Sequence, residues 1–206
     1  TMRTGGSLVC NLLSVHREII ILRNVYFHFF RHIYKEYEPI TKMENLYRLS
    51  GELSARLKYR TNLIIDKEIF FRQLQKTKPK NYSDLYNCLI KTYLSRISKK
   101  KIIGEYSNGE WRKIEIFLNF HNNNIAFQII RDPRAMLSSW KKMTFGKGYK
   151  YFNALFNWID SADYAIKYKR KYNYKRFFLI KFEDIHSNPE KTSKKLCNFF
   201  GVKFDR

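Results

Sequence analysis

The sequence predicts an α/β fold in which a central parallel sheet is flanked by helices. Three observations point there. Short apolar runs alternate with longer segments of helical period, the order that builds parallel sheets. One of these runs, Ile125–Ile130, is almost continuously apolar, as expected of a strand covered on both faces. With 8 Gly and 4 Pro in 206 residues, turns are few and elements are long. Right-handed crossovers in such a sheet bring the strand C-termini, and the loops that follow them, to one edge, where ligands bind.

The elements follow in order. Ser7 to Arg17 reads as a helix with Leu8, Leu12 and Leu13 on one side. Glu18–Leu22 is a short apolar strand, and Asn24–Tyr37 an aromatic helix. Lys42–Tyr59 and Asp66–Lys76 are helical by period. Tyr82–Ser98 places Leu85, Leu89, Tyr93 and Ile97 at helical spacing. Lys101–Gly104 is a strand, and Glu110–His121 an amphipathic helix using Trp111, Ile114, Phe117 and Leu118. After Ile125–Ile130, Asp132 is suited to cap a helix that has Pro133 at its first position and runs to Met143. Tyr149–Tyr172 is a long helix and Arg176–Phe182 a strand. Asn188 and Pro189 then start a helix that ends at Gly201.

A chain of 206 residues is expected to form one domain with a sizeable core. At 44% hydrophobic and 17% aromatic it is not a disordered segment. No stretch approaches the ~18 apolar residues of a membrane helix, and no cationic-then-apolar leader opens the chain. The formal charge is +22. That excess suits a polyanionic partner or an anionic nucleotide; it also fits a Lys-rich composition spread over every face. Cys10, Cys88 and Cys197 are far apart and form no Cys-x-x-Cys, which supports neither a zinc ribbon nor a disulfide framework. Asn81-Tyr82-Ser83 is a glycosylation sequon that matters only in a secreted chain.

The chain opens Thr1-Met2-Arg3-Thr4-Gly5-Gly6-Ser7-Leu8 directly before the first helix. Glycines let backbone N–H groups approach an anion, and the helix N-terminus adds partial positive charge. Arg3 adds a full charge and a forked donor. Gly-Lys-[Ser/Thr] is missing, which disfavours a magnesium–nucleoside-triphosphate loop. The bland alternative is an ordinary glycine turn before a helix. A second candidate is Ile130-Arg131-Asp132-Pro133-Arg134, with Ser139 eight residues after Arg131 and two turns into the following helix. A guanidinium and a hydroxyl there suit a phosphate monoester. The alternative is that Asp132 caps the helix while Arg131 pairs with a carboxylate.

Together and in this order, the two segments resemble the sulfotransferase family. The first is similar to its 5′-phosphosulfate loop, above all the Arg-Thr-Gly-Ser-Ser form of carbohydrate sulfotransferases. The second resembles its 3′-phosphate site. Phe178-Leu179-Ile180-Lys181-Phe182-Glu183-Asp184-Ile185, then Asn188-Pro189-Glu190 and Phe199-Phe200-Gly201, resembles the family's strand ending in Tyr-Glu-Asp-Leu and its closing helix.

The resemblance implies a three-layer P-loop-type fold over residues 1–206. It also implies metal-free, in-line transfer of a sulfuryl group from 3′-phosphoadenosine-5′-phosphosulfate to an acceptor hydroxyl. On this resemblance Arg3, Thr4, Gly5, Gly6, Ser7 and Leu8 form the phosphosulfate loop, with Arg3 meeting the transition-state charge. Arg131 and Ser139 would hold the 3′-phosphate. Gly104-Glu105-Tyr106-Ser107-Asn108 is similar to a Gly-Glu-Lys-Ser-Pro stretch of bacterial members, which makes Glu105 the first candidate for general base. His28 and Glu36 are others, and His28 with His32 lacks the third ligand of a metal site.

The sequence also departs from the family pattern. Gly6 stands where a hydroxyl residue is usual, and Tyr106 and Asn108 replace Lys and Pro. The strand before the phosphate loop and the C-terminal nucleotide loop are expected to be missing. The acceptor is expected to be a glycan, with no specific nucleic-acid partner and no membrane segment. The expected compartment is a bacterial cytoplasm, with a Golgi lumen as the alternative. The competing functions are a P-loop nucleotide or sugar kinase and a non-enzymatic polyanion-binding module.

Overall fold

The structure is a computed structural model describing residues 3–23, 35–61, 65–94, 102–141 and 150–204. In chain order its elements are helix α1 (Gly6–Ser14), strand β1 (Ile19–Arg23), helices α2 (Met43–Thr61), α3 (Lys67–Thr77) and α4 (Tyr82–Leu94), and strand β2 (Ile102–Tyr106). Then come α5 (Ile114–Leu118), β3 (Ala126–Ile130), α6 (Pro133–Lys141), α7 (Lys150–Arg176), β4 (Phe177–Lys181), α8 (Phe182–Ser187) and α9 (Pro189–Phe200). Short 3₁₀ turns occupy Lys35–Tyr37 and Trp111–Lys113. Of the expected aromatic helix Asn24–Tyr37, only this first turn lies within the described residues, together with Tyr82–Leu94 of the helix expected to Ser98.

The chain divides into two compact units, residues 17–107 and residues 1–16 with 108–206. In the first, β1 and β2 pair in parallel, from Ile19 opposite Ile102 to Arg23 opposite Tyr106. Gly104 lies opposite Ile21, and a Cβ there would come within 2.6 Å of Ile21 Cδ1, so the glycine makes room for its neighbour. Helix α2 packs on α3 and α3 on α4. Their buried residues fall at helical spacing: Leu46, Leu49 and Leu53, then Phe70 and Leu74, then Leu85 and Leu89. Asp66 caps α3 through its carboxylate, which accepts from the Glu68 and Ile69 amides at 2.8 and 3.0 Å.

In the second unit β3 and β4 are also parallel, from Ala126 opposite Phe177 to Ile130 opposite Lys181. Helix α7 packs on both strands. Tyr168 is fully buried, its ring 5.6 Å from that of Phe177, and Phe127 meets Phe200 of α9 edge-on at 5.8 Å. Gly201, at φ 69°, ends α9 in a Schellman motif: Val202 N donates to Cys197 O and Gly201 N to Asn198 O.

The expected helix Glu110–His121 is instead a 3₁₀ turn followed by the short α5. The Arg176 guanidinium takes the carbonyls of Leu118, His121 and Asn124, satisfying acceptors that a continuing helix would have used. Helix α7 keeps helical geometry to Tyr172; Asn173, at φ 49° and ψ −168°, breaks it just before β4.

Candidate active site

The site starts at the backbone of the first loop. Arg3 (φ 66°) and Gly5 (φ 86°) are both left-handed, a conformation that favours glycine and is strained for arginine. Gly5 precedes α1 without a side-chain cap. Its carbonyl accepts from Leu8 N and Val9 N at 3.0 and 3.2 Å, so the Leu8 amide is committed to the helix. The amides of Gly6 and Ser7 open the first turn and have no intrahelical acceptor. Thr4 is buried, whereas Arg3 and Ser7 are exposed.

The second segment lies beside the first. Arg3 Nε donates to Ser139 Oγ at 2.9 Å. Arg131 Nη1 donates to the Arg3 carbonyl at 3.2 Å. The Arg131 guanidinium lies 4.4 Å from the centroid of the Phe182 ring. Its Nε is buried with no partner among the described residues. Thus the loop residues Arg3 to Ser7, the strand-end arginine and Ser139 of α6 come together in one unit, although 136 residues separate Arg3 from Ser139.

Asp132 caps α6 as its position suggests. Its Oδ1 accepts from Arg134 N at 2.8 Å, and its carboxylate pairs with the Arg134 guanidinium at 2.7 Å. Those bonds hold the Asp132 carboxyl down at about 2. Arg131, by contrast, has no carboxylate partner among the described residues, and neither has Arg3. Two cations with no carboxylate partner among the described residues, beside a helix start with no side-chain cap, form a locus of positive charge that an anion would stabilise.

Three further residues shape this locus. Trp158 Nε1 donates to the Arg131 carbonyl at 2.7 Å. Glu183 Oε1 accepts from Asp132 N at 2.9 Å. The ring of Phe182 lies so close to Gly5 that a Cβ there would meet its Cδ2 at 2.1 Å. Phe182 and Glu183 sit inside the third matching stretch of sequence, which gave a signal for the segment but none for these roles. Trp158 carried no signal, because its place on α7 reads as ordinary helix packing.

The remaining described candidates, Glu105 and Glu36, belong to the unit of residues 17–107. Glu105 lies on β2 opposite Leu22 and accepts from Tyr86 Oη at 2.9 Å. Glu36 is exposed in the first 3₁₀ turn. His28 and His32 lie outside the described residues. Among the described residues no group of three or more His, Cys, Asp or Glu side chains gathers as a metal site. None of their helices is long and apolar enough to cross a membrane.

The family model described as "Sulfotransferase family" matches residues 1–206. Among solved structures, the chain is similar to the sulfotransferase domain of the olefin synthase of Synechococcus PCC 7002. The identity is 20% and the TM-score 0.60, over 98% of this chain and 71% of that one. It is also similar to the sulfotransferase domain from the curacin biosynthetic pathway, at 15% identity and a TM-score of 0.64, over 100% of this chain and 72% of that one. These likenesses show the α/β fold with its parallel strands. No curated protein matches.

Proposed function

This chain belongs to the sulfotransferase family, and we propose that it transfers a sulfuryl group from 3′-phosphoadenosine-5′-phosphosulfate to an acceptor hydroxyl of a carbohydrate. One observation carries the proposal. Arg3 and Arg131, both free of carboxylate partners among the described residues, are tied to each other and to Ser139 beside the open start of α1. A donor with a phosphosulfate at one end and a phosphate monoester at the other needs two adjacent anion cradles. The orphaned Arg131 Nε is the kind of buried donor that a bound oxygen would satisfy. The glycan acceptor draws support from the formal charge of +22, which favours an acidic polymer.

In this reading the donor, when bound, supplies an activated sulfuryl group. The amides of Gly6 and Ser7, with the Thr4 and Ser7 hydroxyls, hold the 5′-phosphosulfate, while Arg131 and Ser139 hold the 3′-phosphate. Glu105 accepts the proton of the acceptor hydroxyl as that oxygen bonds to sulfur. Arg3 meets the negative charge that gathers on the oxygen between sulfur and the 5′-phosphate as that bond breaks. The leaving nucleotide is adenosine 3′,5′-bisphosphate.

Calorimetric titration with adenosine 3′,5′-bisphosphate, AMP and ATP tests the donor site. The bisphosphate should bind best. Arg131→Ala should weaken it by about 1.5–3 kcal/mol, the loss of a charged hydrogen bond. Equal weak binding of all three nucleotides overturns the assignment. Transfer of labelled sulfuryl to a panel of glycans, tyrosine peptides and phenols then tests the acceptor, and labelling of only the last two overturns the carbohydrate reading.

A further inference from the structure

We infer that Phe182 and Glu183 are positioning residues that lock the phosphate loop and the Arg131 segment into one rigid arrangement; this deepens the donor-site reading above and rests on it. They occupy the first two positions of α8, immediately after β4. Consecutive residues on a helix point about 100° apart, so one turn can serve two neighbours. Phe182 serves the loop and the arginine; Glu183 serves the backbone behind the arginine.

Phe182 touches both segments with one ring. Its edge abuts Gly5: a Cβ on Gly5 would lie 2.1 Å from Cδ2 and 2.2 Å from Cε2. The Arg131 guanidinium lies over the same ring, 4.4 Å from its centroid. A cation–π contact holds the guanidinium against the ring without consuming a hydrogen-bond donor. One of its N–H groups reaches back to the Arg3 carbonyl at 3.2 Å, closing a circuit from Gly5 through Phe182 and Arg131 to Arg3.

Glu183 completes the grip from behind. The peptide unit joining Arg131 to Asp132 has both polar groups bound by side chains of other elements. Its carbonyl accepts from Trp158 Nε1 at 2.7 Å, and its N–H donates to Glu183 Oε1 at 2.9 Å. A peptide held at both groups cannot rotate about its flanking bonds, so the Arg131 side chain leaves the backbone in a set direction. Pre-setting a phosphate-binding arginine avoids ordering it when ligand arrives.

Four variants test the inference by nucleotide binding and by hydrogen exchange on the nucleotide-free chain. Phe182→Leu should weaken adenosine 3′,5′-bisphosphate about 3- to 30-fold, the worth of a desolvated cation–π contact, and AMP far less. Phe182→Tyr, which keeps the ring, should restore binding. Glu183→Ala should weaken the bisphosphate about 10-fold by removing a charged acceptor, whereas Glu183→Gln keeps an accepting oxygen and most of the affinity.

Without nucleotide, Phe182→Leu should speed amide exchange in residues 3–8 and 131–134 and leave α9 unchanged. Unchanged exchange in those two segments overturns the inference whatever the nucleotide results. Equal acceleration throughout the unit, α9 included, also overturns it, since it marks a general packing residue. If the native chain shows no preference for the bisphosphate but Phe182→Leu loosens only those segments, the donor reading fails and the positioning role stands.

Discussion

Replacing Gly5 by alanine perturbs the site at its tightest point, and the structure supplies a matched control. Gly5 and Gly201 are both left-handed, at φ 86° and 69°. A Cβ at Gly201 meets nothing within 4 Å, whereas a Cβ at Gly5 falls 2.1 Å from the Phe182 ring. Gly201→Ala therefore reports the conformational penalty alone, about 1 kcal/mol. Gly5→Ala adds the displacement of a packed aromatic ring, about 1–3 kcal/mol. The unfolded-state gain from removing a glycine is common to both and cancels in the comparison. For a chain of this length 1 kcal/mol lowers Tm by roughly 2–4 °C, so Gly5→Ala should melt several degrees below Gly201→Ala.

Urea unfolding followed by far-ultraviolet circular dichroism measures both free energies. The same measurement on Phe182→Ala and on the double variant isolates the clash: with the ring gone, Gly5→Ala should fall back to the cost of Gly201→Ala. A Gly5→Ala no worse than Gly201→Ala, or one whose extra cost survives in the Phe182→Ala background, would refute the proposed contact between the loop and the ring.

Three more expectations follow from the same geometry. Trp158→Phe keeps an aromatic ring, though a smaller one, and leaves the Arg131 carbonyl without its donor, so it should cost about 1–3 kcal/mol in stability and weaken bisphosphate binding, both readable by urea titration and calorimetry. Burial pushes the Tyr168 hydroxyl up to about 12. Because the folded value lies above the ordinary value of about 10, its contribution to stability is complete below that pH and is lost as pH rises toward 12. The difference in ultraviolet titration between the native chain and Tyr168→Phe should show one tyrosine with that late midpoint, and a midpoint near 10 contradicts the reasoning. Glu105→Gln should lower the transfer rate by about 10²–10⁴-fold, the usual worth of a general base, while bisphosphate affinity measured by calorimetry stays unchanged; a full transfer rate removes Glu105 from the mechanism.

Much of the fold was legible because it depends on neighbours along the chain. Asp66 and Asp132 cap helices through amides two or three residues ahead, and Gly201 ends α9 through carbonyls three and five residues behind. The strands at Ile19–Arg23, Ala126–Ile130 and Phe177–Lys181 differ from their expected bounds by a residue or so. The helix expected over Glu110–His121 was cut short by Arg176, more than fifty positions away, whose capture of three carbonyls no local period records. Helix α8 was also missed, because Phe182–Ser187 follows β4 without a turn residue to mark the change.

The candidate site divides in the same way. Residue types set the chemistry of each segment: glycines and a hydroxyl before a helix, an arginine at a strand end, a serine two turns into the next helix. That chemistry is intrinsic to short stretches and survives translation into any fold that keeps the order of elements. What the chain could not reveal is partnership. Arg3 could have met a carboxylate as readily as Ser139, and Arg131 could have been neutralised instead of resting over the Phe182 ring. Those choices rest on contacts that span 136 positions for Arg3 with Ser139 and 51 for Arg131 with Phe182. Such contacts exist only once β3, β4, α1 and α6 are packed together, since the entropy of closing so long a loop prevents them from forming by themselves.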